Sequence, residues 1–293
     1  MGIPHQYDHE RTPLPGIVID MYMIYTFLKQ NDYKNIYVIT DIQEDVKPDE
    51  LIGVITKGQV NSNIFGFIEN LVINKQICFY QNLSQMTNFI HDNINGVNKL
   101  FFYYTGHATQ NYLMLPIMTR FCNIDEDEDL GKIKTSEFIK MLLQEVNNDC
   151  QVLMLFDCCY ASNFGLPFNM DNNGVYRLNK LENPIFTKKE IVCFVSSMHD
   201  QESHSTFNGS LFTKIAVNSL GQHYTDWLEL LQNVQNNLNE TVWKSNSEIQ
   251  QTIRLYSSLP NIHSIWNWLN FKNNFSMCWQ DDDLVLDIKL QGD

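Results

Sequence analysis

The sequence predicts an α/β sandwich, a mostly parallel central sheet with helices on both faces. Two apolar runs carry this prediction, Leu100-Phe101-Phe102-Tyr103-Tyr104 and Val152-Leu153-Met154-Leu155-Phe156, each flanked by polar turn residues. Runs of that length and apolarity read as strands buried on both faces of a parallel sheet. Segments of helical spacing precede each run, and strand–helix–strand crossovers of this kind are right-handed. At 293 residues and 44% apolar, the chain can enclose one core, burying roughly 75% of its unfolded surface.

The elements follow in order. Ile17, Met21, Ile24, Tyr25 and Leu28 recur on one helix face, and Asn35 to Thr40 reads as a strand. Residues 46–80 are ambiguous apart from a helix around 64–72. Leu83, Met86, Phe89, Ile90 and Ile94 mark a helix ahead of the first apolar run. Phe138, Met141, Leu142 and Val146 mark the helix ahead of the second, with Thr135 or Ser136 as its N-cap. Residues 163–189 are Asn-rich with Gly and Pro and show no period, so they read as a mobile linker. Residues 1–259 form one domain and 260–293 a C-terminal extension docked on it. In that extension Leu284, Leu286, Ile288 and Leu290 alternate with Val285, Asp287 and Lys289, a strand pattern that would pair with the sheet or patch it.

Chemistry gathers at the ends of the two apolar runs. His107 follows the first, and Asp157, Cys158 and Cys159 follow the second. Open parallel sheets place their sites at the carboxyl ends of strands, and an imidazole with a thiol there forms a Cys-His nucleophilic pair. Residues i and i+2 of a strand share a face, so Thr105 and His107 point one way, as do Asp157 and Cys159. That makes Cys159 the nucleophile and Cys158 packing. His107 would take the Cys159 proton or stabilise its thiolate, the attacking species.

These segments resemble the metacaspases and, more widely, the caspase-like cysteine peptidases. The family's Tyr-Ser-Gly-His-Gly segment is similar to Tyr104-Thr105-Gly106-His107-Ala108, and its Asp-Cys-Cys-His-Ser-Gly segment to Asp157-Cys158-Cys159-Tyr160-Ala161-Ser162. Weaker landmarks keep the family's order: Leu14 to Asp20, Tyr37 to Asp41, Phe194 to Ser197, Asp200 to Ser203, Gly209 to Thr213, and Gln251 to Ser258. The resemblance implies a caspase-like three-layer sandwich and an endopeptidase cutting after Arg or Lys. It also implies an acidic pocket for that basic side chain built from Asp20, Asp157 and Thr105. The oxyanion would sit on the backbone N–H groups of Ala108 and Cys159, with Ser196 and Ser197 along the substrate backbone. Caspase-like zymogens are commonly cut in the linker, which makes Arg177, Lys180, Lys188 and Lys189 candidates for self-cleavage.

Departures from the family pattern support a second reading. Ala108 replaces a Gly that contributes to the oxyanion hole, and a positive φ there would strain Ala by roughly 1–2 kcal/mol. Tyr160, Ala161 and Ser162 replace His, Ser and Gly after the nucleophile. The alternative resting on Ala108 and that altered loop is a dormant pseudo-protease serving as a binding or regulatory module. Separately, the family's first central strand is expected to be missing or replaced, since the chain opens at Met1-Gly2-Ile3-Pro4.

Seven cysteines without CxxC spacing argue against a disulfide framework and a structural zinc. No run approaches a membrane span and no secretory h-region opens the chain, giving an expectation of a cytoplasmic protein, monomer in preference to dimer. A net charge of −14 disfavours nucleic acid and leaves protein or peptide substrates as partners. No cofactor is required. The acidic run holding Asp125, Asp127 and Asp129 suggests calcium, yet Leu130 and Ser136 break the EF-hand pattern, so a solvated loop is the plainer reading.

Overall fold

The computed structural model describes residues 1–2, 14, 16–42, 62–80, 82–115, 131–161, 164–171, 173–181, 183–206, 209–244 and 250–260. Helix α1 (Ile17–Gln30) leads to strand β1 (Val38–Thr40); helix α2 (Ser62–Ile73) follows, and β2 (Ile77–Phe79) pairs with β1 in parallel. Helix α3 (Leu83–Ile94) feeds β3 (Lys99–Thr105), and a small antiparallel sheet comes next: β4 (Ala108–Thr109), β5 (Tyr112–Met114) and β6 (Lys132–Lys134). Helix α4 (Thr135–Glu145) then delivers β7 (Gln151–Asp157). Strands β8 (Phe168–Met170) and β9 (Tyr176–Leu178) form a hairpin before β10 (Glu190–Val195). A two-residue ribbon, β11 (Ser205–Thr206) with β12 (Gly209–Ser210), opens helix α5 (Leu211–Leu220). Helix α6 (Trp227–Lys244) and β13 (Arg254–Ser257) complete the described chain.

The main sheet runs β3-β7-β10-β13-β8-β9; β3, β7 and β10 are parallel, and β13, β8 and β9 each add antiparallel. The two-residue period of a strand sorts its core. Phe102, Tyr104, Val152, Met154, Phe156, Ile191 and Cys193 face one layer, with Met86 and Ile90 of α3 and Phe138 and Leu142 of α4. Tyr103, Leu153, Leu155, Val192 and Phe194 face the other, with Phe27 of α1, Phe212 of α5 and Leu231 of α6. The result is a three-layer α/β sandwich. Among the described residues no helix is long and apolar enough to cross a membrane.

Two expectations need correction. Residues 163–189 are not a structureless linker, because β8 and β9 add to the edge of the main sheet. Their turn is tied by Asp171, whose Oδ1 accepts the Asn173 and Val175 amides at 2.9 and 3.0 Å, and by Gly174 at φ +78°. Neither Thr135 nor Ser136 caps α4: the cap position is Lys134, and Thr135 already belongs to the helix. Its amide donates to the Asn111 carbonyl at 2.9 Å instead.

Met1 and Gly2 lie between β1 and β3, where the family resemblance places the first central strand. Gly2 bridges Thr105 in parallel, and its amide donates to the Ile39 carbonyl at 3.0 Å. The Met1 carbonyl accepts the Thr105 amide at 2.9 Å, and the Met1 amino group reaches the Tyr103 carbonyl. Met1 and Gly2 therefore join β1 to β3 at their carboxyl ends. Asp125, Asp127 and Asp129, and the tail 284–290, lie outside the described residues.

Candidate active site

The β3–β7 ladder pairs Lys99 with Gln151 and continues one for one to Thr105 opposite Asp157. One step beyond, the Gly106 amide still donates to the Asp157 carbonyl at 3.4 Å. His107 and Cys159 each follow two residues after the last pair, at the carboxyl ends of adjacent parallel strands. The His107 backbone is fixed there, its carbonyl accepting the Tyr104 hydroxyl at 2.7 Å and the Met114 amide at 3.0 Å.

The loop carrying the thiols is held from three sides. The Cys158 amide donates to Ser196 Oγ at 3.2 Å, the Tyr160 amide to the Gln201 carbonyl at 2.8 Å, and the Ala161 amide to Ser197 Oγ at 3.3 Å. Ser196 and Ser197 return hydrogen bonds to the Cys158 carbonyl. Tyr160 is thereby kept at φ 52°, a left-handed conformation that costs a non-glycine residue about 1–3 kcal/mol and persists only where its surroundings fix it. The two serines are 0% exposed, and their hydroxyls shape this turn.

Cys158 is buried in the layer under α3 and α4, whereas Cys159 is half-buried. The Cys159 thiol donates to the Ser203 carbonyl at 3.8 Å. Burial raises its pKa, and Glu202 and Asp157 raise it further, against the opposing pull of the Ser203 and Cys159 amides. The shift favours the protonated thiol over the thiolate. An open cleft of about 540 Å³ reaches the next residue, Tyr160, and is otherwise lined by Thr109, Gln110, Tyr112 and Lys132.

Ala108 is free of the strain that its replacement of glycine suggested: it has an ordinary negative φ, since it is absent from the described non-glycine residues with positive φ. It stands opposite Leu113 in the β4–β5 pair, next to the hydrogen-bonded pair of His107 and Met114. Antiparallel pairs alternate between bonded and non-bonded, so the Ala108 amide is turned away from β5.

On the α1–α5 side, strand alternation sets Asp157 above the core, where it meets the N-terminal turns of two helices. Asp157 is 4% exposed; its Oδ1 accepts Ser203 Oγ at 2.7 Å and its Oδ2 accepts Thr213 Oγ1 at 2.6 Å. The Tyr103 hydroxyl lies 2.7 Å from Thr213 Oγ1, and Thr105 is buried alongside at 3% exposure. Asp20, on the first turn of α1, is 0% exposed. Its Oδ1 accepts the Ser210 amide at 2.8 Å, while its Oδ2 has no hydrogen-bond partner among the described residues. Burial pushes both carboxyls up, and the Asp157 charge pushes Asp20 further. A buried carboxylate oxygen without a donor carries a large desolvation penalty, and a cation or a proton relieves it.

Ser203, Ser210, Thr213 and Gln251 support this site without having been singled out from sequence. Gln251 is 5% exposed and its Nε2 donates to the Ser196 carbonyl at 2.8 Å and to Ser203 Oγ at 3.3 Å. The signal available was their position within the segments 200–203, 209–213 and 251–258. Of the linker cations, Arg177, Lys180 and Lys188 are exposed. Lys189 is 7% exposed and donates to the Val146 carbonyl at 2.9 Å, which removes it as a cleavage position. Among the described residues no group of His, Cys, Asp and Glu could hold a metal ion.

The family model described as the caspase domain matches residues 3–262. The chain belongs to the caspase-domain family. No curated protein matches it. Among solved structures, caspase-1 from Spodoptera frugiperda is similar at 15% identity over 88% of this chain and 86% of that one, with a TM-score of 0.43. The structure of pro-sf-caspase-1 is similar at 13% identity over 88% and 84%, with a TM-score of 0.46. A Geobacter sulfurreducens protein is similar at 12% identity over 63% and 77%, with a TM-score of 0.39. Family membership makes this a cysteine-peptidase fold, with His107 and Cys159 at the ends of its central strands.

Proposed function

We propose that this caspase-domain protein is a metacaspase-type cysteine endopeptidase that cuts after Arg or Lys. The observation that carries the reading is the buried carboxyl pair, with Asp20 Oδ2 left without a donor. A guanidinium or ammonium between Asp20 and Asp157 supplies the missing donors, and charge-assisted contacts of this kind are among the strongest hydrogen bonds. Thr105 closes the same pocket.

In the reaction, the Cys159 proton passes to His107 and the thiolate attacks the scissile carbonyl carbon. The resulting oxyanion is held by the Ala108 and Cys159 amides. His107 then gives its proton to the leaving amine as the C–N bond breaks, and water hydrolyses the thioester, restoring the thiol. No cofactor takes part. Arg177, Lys180 and Lys188 are the sites open to self-processing.

One observation favours a second reading, a dormant module. The Cys159 thiol is bonded to the Ser203 carbonyl and burial holds its pKa up, whereas reactive cysteines have lowered values. Fluorogenic peptides ending in Arg, Lys or Asp, with and without calcium, separate the two, with Cys159→Ala as control. Cleavage confined to Arg and Lys peptides and abolished by the substitution supports the endopeptidase. Equal background for both proteins under every condition supports the dormant module.

A further inference from the structure

One residue touches both the acidic pocket and the nucleophile. The Ser203 hydroxyl donates to Asp157 Oδ1 at 2.7 Å, while the carbonyl of the same residue accepts the Cys159 thiol at 3.8 Å. Gln251 Nε2 approaches Ser203 Oγ as a donor at 3.3 Å, which directs the only hydroxyl proton of Ser203 to Asp157. Gln251 Oε1 accepts the next amide, that of His204, at 3.4 Å. Upstream, Gln201 Oε1 accepts the Thr252 amide at 2.7 Å, and the Gln201 carbonyl accepts the Tyr160 amide at 2.8 Å. Segment 201–204 is therefore docked on Gln251 and Thr252, and it also carries the turn that follows Cys159.

Both Asp157 oxygens hold a hydroxyl donor in this arrangement, Ser203 on Oδ1 and Thr213 on Oδ2. A guanidinium presents paired N–H groups to both oxygens of a carboxylate, so one hydroxyl must give way. Thr213 is 1% exposed on α5 with the Tyr103 hydroxyl 2.7 Å behind it, whereas Ser203 is half-buried and lies outside every helix and strand. Ser203 is the group that yields. We propose that Ser203 is a positioning residue coupling the two halves of the site: a cation seated between Asp20 and Asp157 displaces its hydroxyl, and the accompanying backbone shift withdraws its carbonyl from Cys159 and frees the thiol for His107. The inference rests on the acidic-pocket reading above and adds an order of events, basic side chain first and nucleophile second. A thiol is a weak donor, so a small shift releases it, and a ligand that prefers the released arrangement drives the change. The same cation offsets the Asp157 charge, one of the influences that push the Cys159 thiol up. An empty pocket thus keeps the nucleophile idle, which accounts for the contact between the thiol and the Ser203 carbonyl in an active enzyme.

Alkylation by iodoacetamide at constant pH, located by mass spectrometry on the full chain, tests this without any need for peptidase activity. Saturating benzamidine should accelerate labelling of Cys159 on the order of 10-fold in the wild type, the effect of releasing about one hydrogen bond, and should leave Cys158 protected. Ser203→Ala should label Cys159 at the accelerated rate with benzamidine absent and respond little to its addition. Ser203→Thr keeps the hydroxyl and should restore the slow, cation-dependent rate. Benzamidine that binds by calorimetry yet leaves the Cys159 rate unchanged overturns the inference and spares the pocket, as does Ser203→Ala labelling at the wild-type rate. Benzamidine that fails to bind overturns the pocket reading and the inference together. Cys158 labelling that rises in step with Cys159 would reveal general loosening of the fold and also overturns the coupling. The wild-type comparison requires no variant, so it decides the matter even where Ser203→Ala does not fold.

Discussion

Cys158 and Cys159 are consecutive, yet they serve opposite sides of the sheet. The first is 2% exposed in the α3–α4 layer, and the second reaches the Ser203 carbonyl at the sheet's carboxyl end. Cys159→Ala should reduce peptide cleavage to background, because the neighbouring thiol at that strand end, Cys158, is buried in the core. Cys158→Ala should leave kcat/KM within a few-fold while costing about 1 kcal/mol of stability through the lost core sulfur. Iodoacetamide labelling of the native protein, located by mass spectrometry, should find Cys159 modified and Cys158 protected.

Asp20→Asn should separate stability from specificity. Burial and Asp157 raise the Asp20 pKa, so the folded state retains a proton that the unfolded state releases above the ordinary carboxyl range. Stability from this group is complete below its unfolded value of 3.8 and declines as pH rises through the raised folded value. Asparagine keeps the shape without the ionisation, so thermal unfolding of the variant should show a shallower decline with pH. Cleavage of Arg and Lys peptides should fall on the order of 30-fold or more, since removing one partner of a buried charged contact costs roughly 2–5 kcal/mol.

The layout of the domain was largely legible, for physical reasons. Residues 100–104 and 152–156 are apolar without alternation because both of their faces are covered, and α1 and α3 show a single apolar face. Strands β4 to β6 and β8 to β9 were not legible, since each has only two or three residues and borrows its order from backbone pairing. Helix α6 carried a readable signal in Trp227, Leu230, Leu231, Val234 and Leu238, all buried, yet its many Asn, Gln and Glu residues dilute that period. At the candidate site, residue order was enough to single out His107, Cys159, Asp20 and Asp157 as candidates. The supports Ser203, Ser210, Thr213 and Gln251 are ordinary polar residues whose importance depends on neighbours distant in sequence.

Gly209 is required by geometry, and its substitution should show it. Its φ is +96°, and a Cβ there would stand 2.6 Å from Asp20 Oδ1 and 3.1 Å from Met23 Cε. Gly209→Ala combines backbone strain with displacement of the carboxyl that Ser210 anchors. Strain of this type costs about 1–3 kcal/mol, so the melting temperature should fall and KM for Arg peptides should rise. An unchanged melting temperature together with unchanged KM would contradict the packing of Asp20 against this ribbon.

Proton release provides a direct measure of the acidic pocket. In the free protein the raised pKa of Asp20 favours its neutral form as pH falls, whereas an amidinium bound between Asp20 and Asp157 favours the carboxylate. Benzamidine, a small cation shaped like the head of arginine, should therefore bind more tightly as pH rises and should drive a proton into solution as it binds. Affinity should stop increasing once Asp20 is already ionised in the free protein. Calorimetry in buffers of different ionisation enthalpy reads the proton directly, as a heat that changes with buffer at constant pH. In Asp20→Asn the buffer dependence should disappear and binding should weaken. Binding that is independent of pH and neutral in protons would place the cation away from Asp20, and with it the basis for cleavage after Arg and Lys.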